Sequence, residues 1–400
     1  MGGGPAGLST ALFLAHARPE LTERIVVLEK ATYPREKFCA GAVGARADKL
    51  LASIGVVVDV PSAPFNGIAF RCQGGELVGR EAGIGRVVRR KQFDHELARI
   101  AQSRGIRVRE GAALEALRRN SKGYELSVSG PGAGFARAGR LQARVLVGAD
   151  GVGSVVRKRL KFESTRYLAQ ALEIDTEQVE SDLARDLILF DVSRRELPGY
   201  YWDFPTVVDG HELMCRGVYL LKKDGEQSAV DIQAVLAEEL RRRGLALSSY
   251  RQKRFAERGF EPHRALSRVG ALLVGEAAGI DPISGEGIAQ AIQYGATAGA
   301  YLGLKLEHQE LGFGDWRSEV LASSVGRDLR VRGAGVELFY GPWRSTIEDF
   351  VLRHPDFLQV GMRHFGGKPW GRSALLSAGR AAAWHTAKAL FRGAEPAATI

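Results

Sequence analysis

Gly2-Gly3-Gly4-Pro5-Ala6-Gly7 stands at the start of the chain, and its glycines at positions 2, 4 and 7 form a Gly-x-Gly-x-x-Gly. In such a turn the first glycine makes a tight bend and the second lets a pyrophosphate approach the backbone. The third lets the next helix lie close to a sheet. That helix is predicted from Leu8, Ala11, Leu12 and Ala15, which recur at i, i+3, i+4 and i+7. Pro5 suits its first turn, where a missing N–H removes no intrahelical bond. The exposed amides of that first turn, Ala6 among them, attract phosphate. Working outward, Arg24-Ile25-Val26-Val27-Leu28-Glu29 reads as an apolar strand ending in an acid. Glu29 lies 22 residues past Gly7, where a carboxylate accepts hydrogen bonds from ribose hydroxyls, and Lys30 follows it. Turn, helix, strand and acid predict an α/β dinucleotide-binding unit of Rossmann type. Its customary first strand is represented by Met1 alone, so that strand is expected to be truncated and its neighbours to carry open ladder groups.

Four hundred residues suggest two or three lobes. A hydrophobic fraction of 45% with 26% charged residues excludes wholesale disorder. The net charge of +10 favours acidic ligands or anionic surfaces without choosing among them. No nucleic-acid-binding module accompanies that charge, so nucleic acid is not an expected partner. Cys39, Cys72 and Cys215 are too few and too widely spaced for a disulfide framework or a zinc cluster. The eight histidines show no paired metal spacing, and no metal is expected. With neither an apolar run of about 18 residues nor a secretory leader, a cytoplasmic location is expected.

Two later segments carry the same kind of turn. Leu146-Val147-Gly148-Ala149-Asp150-Gly151 delivers an acid to a bend, with Ser154 and Arg157 opening a helix. Leu272-Leu273-Val274-Gly275-Glu276 ends a third strand, and Asp281-Pro282-Ile283-Ser284-Gly285-Glu286-Gly287 leads into a helix starting at Ile288. Taken in order, the three segments resemble FAD-dependent oxidoreductases with the para-hydroxybenzoate hydroxylase-like fold. The resemblance implies that Asp150 and Gly275 belong to the cofactor site, and that Glu276, where the family carries Asp, meets the ribityl chain. It also implies that Pro282, Gly285, Gly287 and Ile288 shape the backbone around the isoalloxazine, and that Arg90 lies near the FAD.

Two more stretches narrow the resemblance. Tyr33-Pro34-Arg35-Glu36-Lys37-Phe38-Cys39-Ala40-Gly41 and Gly199-Tyr200-Tyr201-Trp202-Asp203-Phe204-Pro205 are similar to segments of geranylgeranyl reductase-like flavoproteins, a group whose relatives include flavin-dependent halogenases. By that resemblance Cys39 lies near the flavin ring as a candidate catalytic thiol, while Arg35, Lys37, Cys39 and Ala40 join the cofactor-binding set. Tyr201 and Trp202 are the candidates for lining the substrate cavity. The implied activity is reduction of carbon–carbon double bonds in an apolar, prenyl-type substrate. The alternatives are a monooxygenase or halogenase acting on an aromatic metabolite, and a non-catalytic FAD-fold protein. No second Gly-x-Gly-x-x-Gly provides an NADPH domain, so the expected donor is NAD(P)H docking transiently or an external electron-carrier protein.

The FAD domain is expected to be discontinuous, over 1–65, 85–160 and 262–308. An inserted α+β substrate domain takes 66–84 and 161–261, and a helical region takes 309–400. Arg380, Trp384, Lys388 and Arg392 recur on one face of a predicted C-terminal helix, suggesting weak contact with a membrane surface.

Overall fold

The computed structural model describes residues 1–130, 139–223, 225–226 and 228–369. The helix face proposed over 380–392 therefore lies outside the described residues.

A small parallel sheet forms the dinucleotide-binding unit, and it comes in two pieces. Val26–Leu28 pairs in parallel with Arg107–Arg109. Leu146–Gly148 pairs in parallel with Ala271–Leu273, which pairs antiparallel with Ser267–Arg268. Met1 and Gly2 sit between the pieces: the Gly2 N–H donates to the Leu28 carbonyl at 2.8 Å, and the Ala149 N–H donates to the Met1 carbonyl at 2.8 Å. In the place expected for the central strand, Met1 and Gly2 bridge the two pieces at the end where the glycine turn begins. The helix Pro5–Ala17 follows at once. A single apolar stripe was the expectation, yet Leu8, Ser9, Thr10, Ala11 and Leu12 are all buried. This helix is enclosed on every side, and the Thr10 hydroxyl donates to the Ala6 carbonyl at 2.7 Å instead of to water.

One of the enclosing elements is the helix Ile288–Glu307. Gly295 and Gly299 bring the two backbones together, since a Cβ on Gly299 would lie 2.5 Å from the Phe13 Cβ and 2.7 Å from the Leu14 nitrogen. This contact draws the turns at residues 2–7 and 275–287 to the same end of the parallel sheet.

Above that end lies an eight-stranded sheet, ordered Lys253–Arg258, Tyr167–Thr176, His211–Lys223, Gly199–Val208, Leu187–Asp191, Ser62–Cys72, Gly75–Val88 and Ala42–Gly44. Ser62–Cys72 and Gly75–Val88 are continuous hairpin strands within it, so the boundaries drawn at 65 and 84 cut through both. The smaller sheet Ala113–Asn120, Gly123–Ser129 and Gly139–Ala143 flanks the parallel unit. Helices Trp316–Ala322, Ser324–Tyr340, Arg344–Arg353 and Pro355–Phe365 make up the described C-terminal region. Val336 and Met362 from this region pack with Tyr200, Trp202 and Tyr219 on one face of the large sheet, whereas Tyr201 packs with Leu236 and Leu240 on the other.

Gly299→Ala should cost about 1–3 kcal/mol of folding free energy, because the added carbon meets backbone that cannot rotate away. Urea denaturation checks this, and an unchanged midpoint would show that the two helices have room to separate.

Candidate active site

At the glycine turn, steric need and charge converge. Gly2 has φ +96°, and a Cβ there would collide with the Ala149 carbonyl, as one on Gly7 would with the Gly2 carbonyl. Gly4 differs: the atoms nearest its absent Cβ are two guanidinium nitrogens, Arg90 Nη2 at 3.5 Å and Arg35 Nη2 at 3.9 Å. Gly4 also N-caps the helix Pro5–Ala17, with Pro5 and Ala6 buried in its first turn. Two cations and free helix amides around a bare backbone suit a pyrophosphate. Glu29 closes the other side. Its Oε2 accepts the Gly3 N–H at 3.0 Å, and its Oε1 accepts the Ala31 N–H at 3.0 Å.

Charge is balanced through Asp94, which is fully buried. It receives two 2.7 Å hydrogen bonds from Arg90, and Arg35 Nη2 lies 3.0 Å away. Arg35 also lies 3.2 Å from Glu29 Oε2 and donates to the Gly3 carbonyl at 3.2 Å. Asp94 was not among the expected residues, although the i, i+4 spacing of Arg90 and Asp94 signalled the pair. Lys30 is exposed beside Glu29.

The Asp150 carboxylate is spent on its own turn. It accepts the Ser154 hydroxyl at 2.5 Å and the Val155 and Val156 N–H groups at 2.7 and 3.1 Å, so it acts as a helix cap. The neighbouring Gly151, at φ +75°, leaves room for Glu276, whose Oε2 lies 3.5 Å from where a Cβ would stand. Burial pushes the Glu276 carboxyl above its ordinary range, against the pull of Lys37 and Arg90. Gly275, at φ +57°, packs on Ala6, and a Cβ there would sit 2.5 Å from the Ala6 Cβ. The first and third glycine turns are therefore in contact.

Three tyrosines fix the Asp281–Gly287 segment. The Tyr219 hydroxyl donates to the Pro282 carbonyl at 3.1 Å, the Tyr340 hydroxyl to that of Ile283 at 2.5 Å, and the Tyr200 hydroxyl to that of Ser284 at 2.6 Å. Gly285 adopts φ +64°, with Tyr219 Cε2 3.0 Å from its missing Cβ. Gly287 caps the helix Ile288–Glu307, whose first residue is buried.

Facing this segment, the large sheet presents Tyr200, Trp202 and Phe204 beside Tyr219, while Ala40 packs on the same cluster. Strand alternation turns Tyr201 to the opposite face, where its hydroxyl meets Asp203 at 2.5 Å. Tyr201 is therefore corrected: it does not share the sheet face that meets the Asp281–Gly287 segment, and Tyr200 and Tyr219 stand there instead. Cys39 is partly exposed, and burial pushes its thiol up to about 11. Its backbone N–H donates to Glu173 Oε1 at 3.3 Å. Glu173 is buried and pushed up to about 7 by that burial, against the pull of Lys253 and Arg89. Both cations instead pair closely with Asp175. Glu173 was missed, although an acid in the alternating series Tyr167, Ala169, Ala171, Glu173 was the available signal.

Glu29→Ala should weaken FAD retention by about 1–3 kcal/mol, as for a lost charged hydrogen bond. Unchanged affinity in equilibrium dialysis would remove Glu29 from the site. For Glu173 the sign follows from linkage. The unfolded carboxyl ionises first, so native stability falls as pH rises from the ordinary carboxylate range to about 7. Glu173→Gln should thus melt higher than the parent at pH 8, with a smaller gain at pH 4.5. Equal differences at both pH values would show that Glu173 does not titrate this way.

Comparison with known proteins agrees with this geometry. The FAD binding domain family matches residues 1–309. The menaquinone reductase of Mycobacterium tuberculosis is 25% identical over 382 residues, covering 91% of this chain and 89% of the relative. The digeranylgeranylglycerophospholipid reductase of Methanothrix thermoacetophila is 30% identical over 304 residues, covering 70% and 65%. A geranylgeranyl bacteriochlorophyll reductase-like structure from Thermoplasma acidophilum has a TM-score of 0.73 at 17% identity, covering 94% of each chain. With three glycine turns gathered at one end of a parallel sheet and the family matched over most of its length, the chain belongs to the FAD binding domain family and is an FAD-dependent oxidoreductase.

Proposed function

We propose that the protein reduces carbon–carbon double bonds of an apolar, prenyl-type substrate with FAD. The observation that carries this reading is the sheet face opposite the Asp281–Gly287 segment. Tyr200, Trp202, Tyr219 and Phe204 form an aromatic wall, with Ala169 and Ala171 as small residues in the same cluster. The Trp202 ring lies directly over Gly217, leaving no room for a Cβ there. An aromatic surface of this kind suits contact with an isoprenoid chain. Similarity to named reductases over most of the chain supports the same class.

The residues present fit the cofactor. Gly2, Gly4 and Gly7 with Arg35 and Arg90 hold the pyrophosphate, Glu29 holds the ribose, Glu276 faces the ribityl chain and Pro282–Gly287 frame the ring. Bound FAD, once reduced, supplies the hydride that such a reduction needs. NAD(P)H or an electron-carrier protein loads it. The Cys39 thiol, pushed up to about 11, keeps its proton at neutral pH and so holds a proton at Sγ instead of presenting a thiolate. Among the described residues no helix is long and apolar enough to cross a membrane.

Anaerobic incubation with chemically reduced cofactor and a prenyl quinone or prenyl lipid tests the reading. The expected product gains two hydrogens per double bond by mass spectrometry. Product formed only with oxygen, and carrying an added oxygen or halogen, would favour the monooxygenase or halogenase alternative. A preparation that retains no FAD would favour a non-catalytic protein. Cys39→Ala should lower turnover by about 10²-fold while leaving FAD binding intact.

A further inference from the structure

The turn at Asp281–Gly287 is held from outside the segment that matches the FAD binding domain family, which ends at 309. Arg332, on the helix Ser324–Tyr340, reaches three acids at once. It donates to Asp281 Oδ2 at 2.5 Å, Glu286 Oε2 at 2.8 Å and Asp328 Oδ1 at 2.9 Å, and to the Ser284 hydroxyl at 3.0 Å. Arg46 joins from the other side, donating to Glu286 Oε1 at 2.6 Å and to Asp328 Oδ2 at 3.3 Å. His364 Nε2 lies 3.3 Å from Asp328 Oδ1. Asp281 and Glu286 are buried, and Asp281 is also tied to the turn through the Ile283 N–H at 2.7 Å and the Ser284 N–H at 3.1 Å.

Buried Asp281 and Glu286 and half-buried Asp328 share two guanidinium groups, and of the two only Arg332 touches all three. Taking it away leaves Asp281 and Glu286 in the turn with Arg46 on Glu286 only, and an unpaired buried charge is costly. The same removal takes a positive charge from the end of the site assigned to the flavin ring, where a nearby cation favours the reduced, more negative cofactor.

We propose that Arg332 is a positioning residue of the FAD site: by bridging Asp281, Glu286 and Asp328, it makes the C-terminal helix Ser324–Tyr340 a working part of the cofactor pocket. Its role is to hold the turn in its binding shape and to set the electrostatic environment of the ring. This inference rests on FAD binding and is independent of the substrate reading, so either can fail without the other.

The test uses the full chain with Arg332→Met and Arg332→Lys, FAD as the probe, and two readouts: equilibrium affinity by flavin fluorescence and the midpoint potential of the bound cofactor. Arg332→Met should bind FAD at least tenfold more weakly and shift the midpoint potential to more negative values. Arg332→Lys should restore the potential but only part of the affinity, since one ammonium cannot span three carboxylates. A folded Arg332→Met protein with affinity within twofold of the parent and the parental potential would overturn the proposal. If Arg332→Met does not fold, Arg332→Lys decides: affinity within twofold of the parent overturns it, and a larger loss with the potential retained upholds it.

Discussion

Close approach of two helices governs this molecule. Pro5–Ala17 and Ile288–Glu307 are separated by most of the family's matched length, yet Gly295 and Gly299 let their backbones meet with no side chain between them. The consequence lies at their N-terminal ends. Gly4 and Gly287 cap the two helices, and Gly275 rests directly on Ala6, so amides from distant parts of the chain open onto one groove. The turns at residues 2–7 and 275–287 come together because bare backbone at 295 and 299 allows it.

A second constraint is electrostatic. The groove gathers Glu29, Asp94, Glu276, Asp281 and Glu286, and nearly all are matched by guanidinium groups of Arg35, Arg46, Arg90 and Arg332. Arginine suits this task because its planar fork serves two or three oxygens at once. Glu173 and Glu276 stand apart: burial raises both, and their nearest cations are engaged elsewhere or only partly offset that burial. Both carboxyl groups therefore take up a proton more readily than an ordinary carboxylate does.

Much of the fold was legible in sequence because its signals are local. Gly2, Gly4 and Gly7 stand at a spacing that suits a tight turn before a helix, and Gly2 does adopt a positive φ; Glu29, expected to meet a ribose, accepts the Gly3 N–H of that turn. Arg90 and Asp94 form their pair within one helical turn. Other features had no local signature. The two residues Tyr201 and Trp202 look alike in sequence, and only their place in a strand with two buried faces separates them. The Ser62–Val88 hairpin was divided among domains because a long antiparallel strand does not announce which sheet it will join.

By itself, the amino-acid sequence determined the cofactor class and the order of the turns, since a glycine spacing and a following helix are properties of a few neighbouring residues. Tertiary structure alone decided which carboxyl groups burial raises, which aromatic rings face the Asp281–Gly287 segment and which C-terminal arginine reaches that turn. These depend on what packs against a residue from hundreds of positions away, and no pattern within a single stretch of chain records that.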